Sequence, residues 1–271
     1  MEIFSKDFIL GNFRASDYGL MLGSFSYSGE SEDELGIVPT IIEEFVGNNP
    51  MPIYLGQKYE NKLELSITIV KNPCTNQVSM AFTERELRSI LRTITGYKGY
   101  EWLKVINHEI DDDIWYRARV SNVSYKRVSG NVVGIILEMV CDSAFAWSKE
   151  NEIRIQSKAG QKFYVFNNTD DLHNYVLPFV EITSSTDGDI TITNISDNNW
   201  TSEIKNVKAN EKITIDSQKE IIESSIEHSL LLNDFNLHFP RFIEGKNEYI
   251  SDTNITIIFK YRVSKKVGFI E

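Results

Sequence analysis

The sequence predicts a mainly β protein with two domains, of which the first contains one α-helix and the second is a β-sandwich. Three observations predict this fold class. Several segments alternate polar and apolar residues, one segment has helical periodicity, and the composition shifts near residue 150. A chain of 271 residues is long enough for two ordinary domains, which we place at residues 1–150 and 151–271.

Strand patterns dominate the first domain. Residues 62–70 alternate polar and apolar side chains, which is typical of a half-buried strand. Residues 115–126 are rich in side chains that favour strands, and Ser129, Gly130 and Asn131 predict a tight turn. Residues 133–141 would then form the returning strand of a hairpin.

One segment predicts a helix near residues 83–95. Thr83 and Glu86 have the spacing of a capping box, in which both side chains satisfy free backbone N–H groups. Gly96 stands where the C-terminal cap of such a helix is expected. Four apolar residues in between share the spacing of one buried helix face: Leu87, Ile90, Leu91 and Ile94.

The second domain contains short alternating segments and no convincing helix. After residue 150 the chain becomes richer in Asn, Asp, Ser and Thr. Strands are predicted at residues 177–183, 189–194, 212–216 and 254–262, and Asp187 with Gly188 predicts a turn. Short strands separated by turns are typical of a β-sandwich or a jelly roll.

Composition argues against several classes of function. Twenty-eight Lys and Arg residues against 39 Asp and Glu residues give a net charge of −11. This charge argues against a dedicated binder of nucleic acid or of anionic membranes. We expect neither a secretory signal nor a membrane span, because no long apolar run is present. Cys74 and Cys141 lie in no metal-binding pattern, so we expect reduced thiols.

The sequence contains no catalytic motif, so we expect no enzyme activity. Glycine-rich phosphate loops and the serine-hydrolase motif are both missing from it. Asp111, Asp112 and Asp113 lack the spacing of a calcium loop, and we interpret them as a solvated turn. We predict no catalytic, cofactor-binding or metal-binding residue and no cofactor. The histidines, which form no zinc-binding pattern, are His108, His173, His228 and His238.

Aromatic residues of the second domain leave two interpretations open. They could form a platform on which sugar rings stack, or they could fill the core of a sandwich. We favour core packing. The residues concerned are Trp200, Tyr164, Phe166 and Tyr175.

The order of several segments resembles that of a known family. The first of these segments is Asp17-Tyr18-Gly19-Leu20, and the helix at Phe82-Thr83-Glu84 precedes the aromatic and basic strand at residues 115–120. The matching segments beyond these are residues 141–147, 187–192, 239–247 and 254–262. Together they resemble the distal tail (Dit-like) proteins of siphophages and prophages of Gram-positive bacteria.

This resemblance implies a structural role in a virion. Proteins of this family form a hexameric ring at the tail tip, in which N-terminal domains build the ring and galectin-like β-sandwiches project outward. The ring joins the tail tube to the tail-tip hub protein, and double-stranded DNA passes through its lumen. Such a protein is made in the cytoplasm of the bacterial host and has no membrane partner. The same part occurs in defective prophages and in phage-tail-like bacteriocins.

The resemblance also assigns a structural turn motif to the second domain. Residues 239–247 resemble an aromatic-Pro-x-hydrophobic-x-x-Gly-x-Asn sequence, whose motif residues are Pro240, Gly245 and Asn247. We expect Gly245 and Asn247 to form a tight turn that needs a positive φ.

Two segments of the first domain are candidates for contacts between subunits. The strand at residues 62–70 could pair across the subunit boundary or lie inside the sheet of its own domain. The segment before Tyr18 could act as an arm, because its apolar residues need burial. Those residues are Phe4, Phe8, Ile9 and Leu10.

Two other functions stay open at this level. The chain could be a carbohydrate-binding module for glycans of the host surface, acting through its second domain. It could also be the N-terminal domain of a tail-tip hub protein, which resembles the first domain and forms trimers. An enzyme ranks last.

Overall fold

The computed structural model describes residues 7–23, 25, 37–76, 79–106, 114–228 and 231–266. The chain divides into two compact units, which we call unit 1 (Met1–Trp147 and Lys266–Glu271) and unit 2 (Ser148–Lys265). Both are built mainly from antiparallel strands, so the predicted mainly β fold class is confirmed.

Most strands of unit 1 form one antiparallel sheet. The strands of the N-terminal half are β1 (Asp7–Leu10), β2 (Phe13–Arg14), β3 (Leu20–Leu22), β4 (Thr40–Glu44), β5 (Ile53–Lys58), β6 (Glu64–Lys71), β7 (Glu101–Ile106), β8 (Ile114–Val128), β9 (Asn131–Cys141) and β10 (Ala146–Ser148). A 3₁₀ turn at Ala15–Tyr18 joins β2 to β3. The path of the sheet is β2-β1-β7-β8-β9-β6-β3, and β10 pairs with β8 off this path. In contrast, β4 and β5 pair only with each other within the described residues.

The first strand belongs to the core of unit 1. Phe8 and Leu10 are buried, and β1 pairs with β7 from Asp7 opposite Ile106 to Leu10 opposite Leu103. The expectation that this segment forms an arm is therefore wrong for residues 7–10, because its apolar side chains are covered by their own unit. Phe4 lies outside the described residues.

The strand predicted at residues 62–70 lies inside the sheet. It corresponds to β6, which pairs with β9 from Glu64 to Val70 and with β3 from Ile69 to Lys71. The hypothesis that this strand pairs across a subunit boundary is therefore wrong for Ile69–Lys71, because β3 occupies the edge of β6 that does not pair with β9. From Glu64 to Ile67 the structure describes a neighbour on one edge only.

The predicted hairpin turn after β8 is confirmed. Val128 faces Asn131, and the two residues between them, Ser129 and Gly130, have φ values of 49° and 84°. Left-handed φ values at both central positions match the right-handed twist of the flanking strands.

The predicted helix is also confirmed as α1 (Glu84–Ile94). The backbone N–H of Thr83 donates to the Glu86 carboxylate at 2.7 Å, and the N–H of Glu86 donates to Thr83 Oγ1 at 3.3 Å. Gly96 follows the cap residue Thr95, and a Cβ there would lie 2.7 Å from the carbonyl oxygen of Arg92. None of the described helices is long and apolar enough to cross a membrane.

Unit 2 packs two antiparallel sheets on one apolar core, as the sequence predicts. Its strands are β11 (Asn151–Ser157), β12 (Lys162–Asn167), β13 (Phe179–Ser184), β14 (Gly188–Asn194), β15 (Trp200–Val207), β16 (Lys212–Asp216), β17 (Ile221–Ser224), β18 (Gly245–Ser251), β19 (Ile255–Tyr261) and β20 (Ser264–Lys265). One sheet has the order β11-β19-β13-β16-β17, and the other has β12-β18-β14-β15. Val180, Ile190 and Phe259 are fully buried in the shared core.

A short helix in unit 2 was not predicted. It is α2 (Leu231–Asp234), and it precedes an isolated bridge between Phe235 and Ile204 of β15. Four residues are too few to show a helical repeat in the sequence.

Candidate subunit interface

The β4–β5 hairpin exposes an unusual amount of apolar surface. All five residues of β4 are exposed, and so are the first three of β5. Large exposed apolar patches on a folded chain are typical of sites that bind another protein. The exposed apolar residues of this segment are Val38, Ile41, Ile42, Phe45, Val46, Met51, Ile53, Tyr54 and Leu55.

Neither face of the hairpin is covered by the described part of its own chain. Ile41 and Ile42 are neighbours in β4, so their side chains point to opposite faces, and they are 60% and 37% exposed. An isolated two-stranded hairpin is marginally stable in water. Apolar residues on both faces therefore make the hairpin a candidate surface for contact with a partner.

One ring contact at the base joins the hairpin to the rest of unit 1. The Tyr59 ring, directly after β5, packs edge-on against Phe145 with 4.8 Å between ring centroids. Lys58 forms a 2.7 Å ion pair with Glu60, which lowers the pKa of that carboxyl. A register shift between Ile42 and Glu43 adds one residue to β5 and increases the local twist.

Sequence analysis missed this hairpin, although a signal for it exists. Residues 40–46 and 53–58 contain several β-branched and aromatic residues, and the segment from Gly47 to Pro50 between them is rich in turn-forming residues. What the segment lacks is a regular alternation of apolar and polar residues, because neither face is buried in the chain.

The predicted turn motif of unit 2 is built around a buried asparagine. The Asn247 side chain accepts from the N–H of Ile243 at 2.9 Å and donates to the carbonyl of Ile243 at 2.9 Å. Gly245 has a φ of 80°, and Pro240 is buried. Asn247 itself lies in β18 and is not among the residues with positive φ, so it closes the turn through its side chain.

Two further buried residues hold the same turn. The hydroxyl of Tyr249 donates to the carbonyl of Arg241 at 2.7 Å, and burial raises the pKa of that hydroxyl. The amide of Asn194 donates to the Asn247 side chain at 2.9 Å. Each polar group in this cluster has a partner, which makes the turn a rigid part of unit 2.

The proposed sugar platform is not formed at Trp200. The Trp200 ring is stacked on His238, at 4.2 Å between centroids, and the Arg241 guanidinium lies 3.7 Å from the Trp200 centroid. The same guanidinium lies 3.9 Å from the centroid of the Tyr175 ring and forms an ion pair with the Asp197 carboxylate. Both faces of the indole are therefore occupied, which leaves no face for a sugar ring.

The remaining two aromatic candidates lie side by side on the edge strand β12. The Lys246 ammonium lies over the Tyr164 ring, 3.8 Å from the ring centroid. Phe166 is exposed. The expectation that the four aromatic residues fill the core is therefore wrong. Alternate residues of β12 point outward, Tyr175 is exposed as well, and Trp200 is not among the residues of the core.

Titratable residues of the described chain form no site for a metal. His228 lies between Glu211 and Asp234, which it contacts through different ring nitrogens at 2.6 and 3.3 Å. Among the described residues, no three His, Cys, Asp or Glu side chains could jointly hold an ion. His108 and the Asp111–Asp113 run lie outside the described residues.

The two cysteines of the chain are free. Burial raises the pKa of the Cys141 thiol to about 12, whereas Cys74 is exposed.

Two family models match the chain. One is described as the phage tail protein N-terminal domain and matches residues 4–143. The other is described as the phage tail C-terminal domain and matches residues 145–261. No curated protein matches the chain significantly.

Solved structures of phage proteins share the fold. The Dit protein (gp 19.1) of phage SPP1, described as a paradigm of the hub adsorption apparatus in phages that infect Gram-positive bacteria, matches with a TM-score of 0.66 at 11% identity. The match covers 96% of this chain and 99% of that one. A chain of the phage P2 baseplate in its activated conformation with calcium matches with a TM-score of 0.52 at 8% identity. That match covers 99% of this chain and 100% of the baseplate chain. A chain of the P2 baseplate with strontium matches with a TM-score of 0.52 at 9% identity, and the match covers 98% of this chain and 100% of that one. At these identities the likeness is one of fold.

Proposed function

The chain belongs to the phage tail protein family, and from this premise we propose that it forms a ring at the distal end of a phage tail. In this position it links the tail tube to the hub or host-recognition device at the tip. The fold that the chain shares with SPP1 Dit along nearly its whole length supports this location. So does its likeness to chains of the P2 baseplate.

The observation that carries the proposal is the uncovered β4–β5 hairpin. A hairpin with apolar residues on both faces needs a partner, and a second copy of the chain is the partner that a ring supplies. When the hairpin of one copy docks on a different surface of the next, the contact is heterologous. Heterologous contacts close into a ring when the rotation between copies allows it.

We propose that six copies form the ring, with unit 1 building it and unit 2 projecting from it. Six chains with a net charge of −11 each would carry −66 in total. An acidic ring repels the phosphates of passing DNA and so does not retain it. The tail tube protein and the hub protein would be its neighbours in the virion.

We propose a structural role without catalysis. The side-chain networks of the described residues act within the fold: the Asn247 cluster holds a turn, and His228 joins two carboxylates of unit 2. A ring acts through its contacts, so its mechanism is the geometry of the interface.

Labelling intact particles tests the location. Antibodies against this chain, bound to particles of the phage or prophage that encodes it, should decorate the distal end of the tail in electron micrographs. Label along the tail shaft, on the capsid or on no particle would overturn the proposed position. Particles assembled without the gene provide the control and should bind no antibody.

A further inference from the structure

Helix α1 carries a stripe of three exposed arginines. Arg85, Arg88 and Arg92 follow one another at helical spacing, so they share one side of the helix. None of the three forms an ion pair with another residue that the structure describes. The stripe is thus a concentrated positive charge on unit 1, and Glu84 is the exposed acidic residue beside it on the helix. We call it the arginine stripe.

A small cavity opens beside the arginine stripe. It has a volume of about 110 Å³, and its walls include Tyr18, Leu20, Phe82 and Ile90. Ser89 of α1, which lies between the arginines, also lines it. An apolar cavity of roughly 150 Å³ accepts one benzene molecule, so this cavity is the size of one small apolar side chain.

The wall of the cavity is held rigid by an ion pair. Lys71 of β6 contacts Glu86 of α1 at 2.8 Å, and the Lys71 side chain is buried. The Lys71 ammonium also lies 5.5 Å from the centre of the Phe82 ring. A preformed cavity loses little conformational freedom when a side chain enters it.

The β4–β5 hairpin carries the opposite charge. Glu43 and Glu44 are exposed at the end of β4, and neither has an ion pair with a described residue. Exposed apolar residues flank them on both sides, Ile42 before and Phe45 after. The hairpin therefore presents two unpaired carboxylates next to apolar side chains.

We propose that the β4–β5 hairpin of one copy docks on the α1 helix of the next copy in the ring. Glu43 and Glu44 point to opposite faces of β4, so we place the edge of β4 that does not pair with β5 along the arginine stripe, where both carboxylates reach it. An apolar side chain of the hairpin enters the cavity beside the stripe. This inference rests on the proposed ring and names the surface that receives the hairpin. The two surfaces complement each other in charge and in apolar character, and every copy carries both, so the same contact repeats around the ring.

Charge reversal on either surface tests the contact. The variants are E43K/E44K on the hairpin and R85E/R88E on the helix, each in the full chain. Each variant alone should raise the dissociation constant of the assembly by more than about tenfold, because like charges then face each other. Sedimentation velocity over a range of concentrations measures this shift, and circular dichroism checks that each variant is folded.

Mixing the two variants provides the decisive observation. In an equal mixture the two variants can alternate around the ring, so that each reversed hairpin meets a reversed helix and each unchanged hairpin meets an unchanged helix. The dissociation constant should then return to within about threefold of the wild-type value. The matched control is E220K/E223K, which makes the same charge change at two exposed residues of unit 2. It should assemble like wild type.

The possible failures are distinguishable. If wild type forms a ring, and the reversed variants assemble equally well or fail to recover on mixing, the hairpin does not dock on α1. The proposed ring would survive that result. If the wild-type chain remains monomeric at all concentrations, the self-assembling ring is contradicted and this contact with it.

Discussion

At the scale of single residues, Asn247 makes the clearest contribution to the fold of unit 2. Its amide closes the turn that leads into β18, and the Asn247 side chain is fully buried. A buried backbone N–H that loses its partner bears its full desolvation cost.

Replacement of Asn247 by alanine should therefore destabilise unit 2 by about 2–3 kcal/mol. Urea unfolding followed by intrinsic fluorescence measures the loss. Asn168→Ala is the matched control, because the Asn168 side chain is exposed, and this change should stay within about 0.5 kcal/mol of wild type. A loss of equal size in both variants would show that the turn does not depend on Asn247.

His228 gives the fold a dependence on pH. Its hydrogen bond to Glu211 and then that to Asp234 raise its pKa above the ordinary value of 6.5. Burial acts to raise the pKa of Glu211, but hydrogen bonds from Ser224, Lys208 and His228 lower it on balance. Only the imidazolium ion donates from both ring nitrogens at once.

The stabilisation that His228 provides should be complete below pH 6.5 and lost as the pH rises through the raised pKa of the folded state. We expect His228→Gln to cost about 1–2 kcal/mol near pH 6 and less at pH 9. Thermal unfolding of both proteins across this range measures the difference. The same change at His238, whose ring donates a single hydrogen bond to the carbonyl of Thr201, is the control for the loss of an imidazole. A cost for His228→Gln that does not change with pH would contradict this account.

At the scale of elements, the parts with strong local signals could be predicted from the sequence. The helix was predictable because Thr83 and Glu86 form a capping box and the apolar residues that follow repeat at helical spacing. The turn between β8 and β9 was predictable because Gly130 adopts the left-handed conformation that such a turn requires.

The elements that sequence analysis missed depend on distant or absent partners. β1 pairs with β7, which lies about a hundred residues further along the chain, and no local pattern reveals such a pairing. The β4–β5 hairpin has no buried face in the chain, so its sequence shows no alternation. Of the candidate site, the residues of the turn motif were named in advance, but the interface was not.

The hairpin should matter for assembly and little for the stability of the chain. Ile42→Ser combined with Phe45→Ser removes two exposed apolar side chains, so the free energy of unfolding should stay within about 0.5 kcal/mol. Ring formation should fall by more than tenfold if these side chains are buried between copies, because such anchors cost about 2 kcal/mol or more when removed. Chemical denaturation and sedimentation velocity measure the two effects.

Ile69→Ser is the matched contrast for this variant. Ile69 is fully buried in β6, so the change should destabilise the chain itself by several kcal/mol. If the hairpin variant assembles like wild type, the uncovered apolar surface serves some purpose other than contact between copies.

At the scale of the whole molecule, family membership and fold agree with the resemblance found in the sequence. Models of phage tail protein domains match both halves of the chain, and the fold is that of SPP1 Dit. The identification as a Dit-like protein is thereby confirmed. The number of copies in the assembly follows from neither, and it decides between a ring and the alternatives.

The mass of the purified chain in solution, with negative-stain images of the same sample, tests the central claim most directly. Six chains of 31.2 kDa have a combined mass of about 187 kDa, and we expect particles of this mass with six-fold symmetry and an open centre. A trimer of about 94 kDa would contradict the ring and favour the N-terminal part of a tail-tip hub. A monomer that binds glycans would contradict it in favour of a carbohydrate-binding module.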